Sequence, residues 1–139
     1  MNLSRTTDIG TITINDITFA NVVRDTVKPL GNKVYLSSPQ GKILGGIDRK
    51  VSLNELTQNI SLQELDGVIS LKVYIIASFG VSISYLTDYL LDNIEKQLVQ
   101  LMPEYGFHIE LKVTGVKSKQ LAPRNLEFVR ERLPENSAK

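Results

Sequence analysis

A chain of 139 residues with 16 Lys and Arg against 15 Asp and Glu carries a net charge of +1 and contains neither Cys nor Trp. That length sustains one domain with a sizeable core, and the near-neutral balance gives no global electrostatic footprint for nucleic acid. Without Cys there is no disulfide or thiol chemistry, which fits a reducing compartment; no uncharged apolar run reaches the roughly 18 residues of a membrane span, and the opening MNLSRTTDIG lacks the apolar stretch of a signal peptide.

Residues 1–7 read as a loose polar terminus. In DIGTITIN, residues 8–15, Ile12 and Ile14 share one face and Thr11 and Thr13 the other, a short strand of period two. Asp16 is the expected N-cap of a helix to Lys28. Ile17, Ala20, Val23 and Val27 follow at three- and four-residue spacing, and Pro29 and Gly31 stop the helix. Residues 33–38 suit a strand, Pro39-Gln40-Gly41 a turn, and 42–48 a second strand weakened by Gly45 and Gly46. The stretch 51–65, with Leu53, Leu56 and Ile60, reads as an irregular connector holding a helical turn or two.

The clearest strand is GVISLKVYIIASF, residues 67–79. Ile69, Leu71, Val73, Ile75, Ala77 and Phe79 lie on one side, and Ser70, Lys72, Tyr74, Ile76 and Ser78 on the other, so the sheet is covered on one face only. At roughly 3.3 Å per residue it reaches about 43 Å, long enough to overhang its neighbours and offer an edge. After Gly80, the stripe Ile83, Leu86, Leu90, Ile94, Leu98 and Leu101 predicts a helix over 83–102, ended by Pro103 and Gly106. In FHIELKVTGVK, Phe107, Ile109, Leu111 and Val113 point inward and His108, Glu110, Lys112 and Thr114 outward. Residues 123–133, PRNLEFVRERL, start on Pro and space Leu126, Val129 and Leu133 as a helix would, which predicts a tail helix. The order β-α-β-β-β-α-β describes a two-layer α+β sandwich, a mainly antiparallel sheet with two helices on one face. The domain spans 8–117, and an extension over 118–139 carries the short helix.

The junction SFGVSIS, residues 78–84, raises the question of chemistry. A nucleophile elbow needs a second glycine, where this chain has Ser84, and a base, for which His108 is the only histidine. A phosphate loop needs more glycines and a lysine. A plain turn accounts for every residue: Gly80 supplies backbone freedom and Ser82 or Ser84 caps the helix. Tyr85 and Tyr89 read as core-edge residues, and His108 as an idle surface group without His or Cys companions for a metal. No catalytic, cofactor-binding or metal-binding residue is identified, and no small-molecule substrate is evident.

Charge is uneven along the chain. Residues 112–133 hold six basic and two acidic side chains, whereas 52–71 hold three acidic and no basic ones. Lys112, Lys117, Lys119, Arg124 and Arg130 are therefore the partner-binding candidates, with an acidic partner or a second copy of the chain as the expected ligand.

Three blocks together resemble the alkaline shock protein family, envelope stress response proteins of Gram-positive bacteria. They are Gly10-Thr-Ile12-Thr-Ile14 with the helix after it, DGVISLKVYIIASFGVSI, and FHIELKVTGVK; their order and spacing over residues 9–117 carry the likeness. The chain departs from the family pattern at Pro29-Leu30-Gly31-Asn32, at Ser84, and in a longer 51–65 connector. The resemblance implies a cytoplasmic, non-enzymatic scaffold or adaptor that forms homo-oligomers, docks other proteins, and in some members sits at the membrane through a membrane-anchored protein partner. Two alternatives stand beside it: a regulator binding a metabolic enzyme such as acetyl-CoA carboxylase, and a weak RNA- or DNA-binding module using the basic segment, where Phe128 is the one aromatic residue available for stacking.

Overall fold

A computed structural model describes residues 2–7, 10–45 and 51–134. Two strands, β1 (Asn2–Thr7) and β2 (Gly10–Asn15), pair antiparallel in a small sheet of their own. Where the composition suggested loose chain, residues 2–7 thus find a partner in the strand that follows them. Asn15, one position before the expected Asp16, caps helix α1 (Asp16–Val27) by accepting from the Thr18 N–H. A 3-10 turn (Lys28–Lys33) follows, with Gly31 at φ 58°, and leads into β3 (Val34–Leu36).

The segment read as a connector is more ordered than expected. Ser52 caps α2 (Leu53–Asn59), and β4 (Ser61–Leu65) then pairs antiparallel with β5 (Val68–Ser78). Asp66 and Gly67, both at positive φ (52° and 80°), form the two-residue link of this hairpin, the geometry that an Asp-Gly pair favours. The strand expected over 42–48 reduces to a single bridge between Ser37 and Ile43, and residues 46–50 lie outside the described residues.

Helix α3 (Ile83–Leu101) returns the chain to β6 (Gly106–Lys117), which runs parallel to β5. The expected tail helix is instead β7 (Leu121–Arg132), antiparallel to β6. The reason is tertiary. Both periodicities fit this segment, and pairing along the open ladder of β6 adds the tertiary stabilisation that a short helix, marginal by itself, would lack. The main sheet runs β3 and β4 side by side against one edge of β5, then β5, β6 and β7. It is an open, mainly antiparallel sheet in an α+β fold. With both sides paired, β5 offers no overhanging edge; among the described residues the free long edge belongs to β7.

The core sits between one sheet face and the helices. Ile69, Leu71, Val73, Ile75 and Ala77 of β5, with Phe107, Ile109, Leu111 and Val113 of β6, pack against Phe19, Ala20 and Val23 of α1 and Leu86, Leu90, Ile94 and Leu98 of α3. Gln97 Nε2 donates to Thr26 Oγ1 at 2.7 Å, tying the two long helices together. Phe79, expected to close the inward row, is instead 76% exposed because the chain has already turned away at Gly80.

Candidate functional site

The turn at Gly80 is built for geometry. Gly80 adopts φ 90°, the Val81 N–H donates to the Ser78 carbonyl, and Ser82 Oγ accepts from the Tyr85 N–H at 3.3 Å. Ser82 is thereby occupied as the α3 cap, and no histidine approaches it.

His108 is far from idle. On the sheet face away from the helices its Nδ1 lies 3.1 Å from Glu131 Oε2 of β7, and its Nε2 lies 3.3 Å from Glu110 Oε1. Lys72 Nζ reaches the other Glu110 oxygen at 3.5 Å. Hydrogen bonding to Glu131 raises the imidazole pKa above its ordinary value; partial burial opposes this, and Glu110 adds to the rise. With a carboxylate on each ring nitrogen, the protonated ring donates at both positions and keeps no lone pair to act as a base. The cluster lines a shallow depression of ≈ 330 Å³ whose walls are Ser61, Gln63, Ser70, Lys72, His108 and Glu110. Among the described residues no group of His, Asp and Glu is arranged to hold a metal ion.

The five predicted basic residues do not converge. Lys112 is paired with Glu127 at 3.1 Å on the polar sheet face. Arg130 points to the helix side, where Nη1 meets Asp92 at 2.6 Å and Glu95 at 3.3 Å, and these bonds hold its pKa above the usual guanidinium range. Arg124 lies exposed on β7, and only Lys117 and Lys119 stay together, beside the β6–β7 turn. Strand pairing, which alternates side chains between faces, disperses what the linear sequence gathers.

β7 itself went unrecognised as a site. Ten of its 12 residues pair with β6, a register shift leaving Arg124 and Asn125 without partners, and no other described strand covers its outer side. Leu121, Leu126 and Val129 on it, and Leu133 just beyond, are 39–67% exposed. The available signal was the alternation of Leu126, Phe128 and Arg130 with Glu127, Val129 and Glu131. No helix among the described residues is long and apolar enough to cross a membrane. No protein-family model, curated protein or solved structure matches the chain.

Proposed function

We propose that this chain is a non-enzymatic scaffold of the alkaline shock kind it resembles, which self-associates through β7 and docks other proteins of the cytoplasm in support of the cell envelope. The observation that supports this reading is the outer edge of β7, which no other strand among the described residues covers. A strand edge presents a row of unpaired N–H and C=O groups, and an added strand satisfies them. A twofold axis through Phe128 sets Phe128 opposite its own copy, Leu126 opposite Arg130 of the second copy, and Glu127 opposite Val129. No like charges then meet across these five positions. A reading in which the basic segment alone recognises a metabolic enzyme or a nucleic acid has less support, because Lys112 and Arg130 are engaged in intramolecular ion pairs.

Light scattering from low to high micromolar concentration tests this. The expected result is a dimer that dissociates on dilution. Leu126→Lys with Val129→Glu places like charges against Arg130 and Glu127 of the second copy and should leave a folded monomer, whereas Val129→Lys alone, facing Glu127, should tighten the dimer. A wild-type chain that remains strictly monomeric at high micromolar concentration overturns the proposal.

A further inference from the structure

Three turns meet at one pole of the molecule. Ser78 pairs with Lys117 in the parallel β5–β6 ladder, and the Phe79 N–H donates to the Lys117 carbonyl at 2.8 Å. Val34 pairs with Ala77, and Ser78 Oγ donates to the Asn32 carbonyl, which brings the 3-10 turn alongside. Lys117 also pairs with Leu121, so the β6–β7 turn completes the group. The three segments, 28–33, 78–85 and 117–121, contain Lys28, Lys33, Lys117 and Lys119 and no Asp or Glu. Among the described residues none of these four ammonium groups is in an ion pair. Phe79 and Tyr85, on either side of Gly80, are 76% and 74% exposed.

Two exposed aromatic side chains thus share one pole with four lysines, a combination with an evident complement. We infer that this pole docks directly on an anionic lipid bilayer, with Phe79 and Tyr85 seated among the headgroups and the four lysines facing lipid phosphates. A polybasic cluster gains attraction with each lysine held near an anionic leaflet, and exposed aromatic side chains gain by entering the interface. Single-stranded nucleic acid is the weaker complement, since it requires a groove in which bases stack one after another. Here the aromatics project from turns at a sheet end. The contact needs no membrane-spanning partner and stands independently of self-association through β7.

The test is sedimentation of the full chain with vesicles of equimolar phosphatidylglycerol and phosphatidylcholine, against vesicles of phosphatidylcholine alone. Binding is expected only to the anionic vesicles and should fall as salt is raised. Lys33→Gln with Lys119→Gln should weaken partitioning about 25-fold, roughly fivefold per lysine, and Phe79→Ser about tenfold or more. Lys96→Gln, on the exposed side of α3, should change it less than twofold. Because the chain has no Trp, Phe79→Trp provides a single tryptophan emission, excited selectively over the five tyrosines, that should shift blue on anionic vesicles. The inference is overturned by absence of anionic-vesicle binding at low salt, by an unshifted Phe79→Trp band, by equal losses from the pole and Lys96 substitutions, or by the same residues governing binding to single-stranded RNA and not to vesicles.

Discussion

Gly106→Ala tests whether the C-terminal segment lies as a strand along β6. At the first residue of β6, a Cβ on Gly106 would stand 2.5 Å from Pro134 Cδ, 2.6 Å from Pro134 N and 2.7 Å from the Arg132 carbonyl oxygen. Two of these are backbone atoms, so no rotamer change relieves the clash. Restoring ordinary contact at about 3.5 Å requires the end of β7 to move by roughly 1 Å. The rungs there are Phe107 with Arg132 and His108 with Glu131. Loosening two rungs, at about 0.5–1.5 kcal/mol for each net hydrogen bond, should cost about 1–3 kcal/mol. A tail helix directed elsewhere would cost almost nothing, because Gly106 is not at positive φ and would accept alanine readily.

Urea unfolding followed by far-UV circular dichroism measures the difference, with the slope checked for two-state behaviour. The sharper version is a cycle with a chain shortened after Arg130. Shortening removes the clashing atoms, so Gly106→Ala should be near neutral in that background, and the coupling should match its cost in the full chain. A loss below about 0.5 kcal/mol in the full chain, or an equal loss in the shortened one, refutes the placement of β7.

Other outcomes follow from single contacts. Ser82→Ala removes the α3 cap and should cost about 1 kcal/mol in the same unfolding assay, while Ser84→Ala, whose side chain is exposed, should cost little. Arg130→Met keeps the aliphatic stem but removes the link to Asp92 and Glu95, and should lower stability by about 1 kcal/mol; adding Asp92→Asn should cost little more once Arg130 is gone. For His108, the raised folded-state pKa means protonation binds more tightly in the native chain. Its stabilisation is therefore full below about pH 6.5, the unfolded value, and is lost as pH rises through the folded pKa. Unfolding midpoints should fall from about pH 6 to about pH 8, by an energy below about 1 kcal/mol for groups this exposed, and His108→Gln should flatten the slope.

Much of the fold was readable because periodicity and burial agree. β5, α3 and β6 each bury one face of large apolar residues, so a period of two or 3.6 is visible at once and the observed bounds fall within two residues of those expected. β4 and β7 were illegible for the opposite reason. β4 leaves four of its five residues exposed, so its apolar signal is faint, and only the Asp66-Gly67 link announced it. In β7 the inward face toward α3 includes Arg130 and Arg132, whose charge disguises the alternation. The His108 cluster depends on β6 and β7 lying in register, which puts residues 23 apart in sequence side by side. Phe79 continued the inward row in sequence, but where a helical layer ceases to cover a strand is a property of the packed layers.

The polarity of the molecule follows from one topological choice. Because β5 and β6 are parallel, α3 must carry the chain back across the sheet, and the turns leaving both strands fall at the same end. Open sheets gather ligand-contacting residues at the carboxyl ends of parallel strands for this reason. Here that end holds Lys28, Lys33, Lys117 and Lys119, while the other end holds Glu64, Asp66 and Glu104, with Arg132, beside the hairpin and the start of β6. The net charge of +1 thus conceals a local excess of lysine at one end of the sheet. At an anionic surface the field acts on each pole separately over a Debye length of about 8 Å at physiological salt, so the lysine end is drawn in while the acidic end lies beyond reach. Vesicle binding should accordingly depend on salt as steeply as a cation of several charges does. A dependence as shallow as a single charge would place the contact somewhere other than this pole.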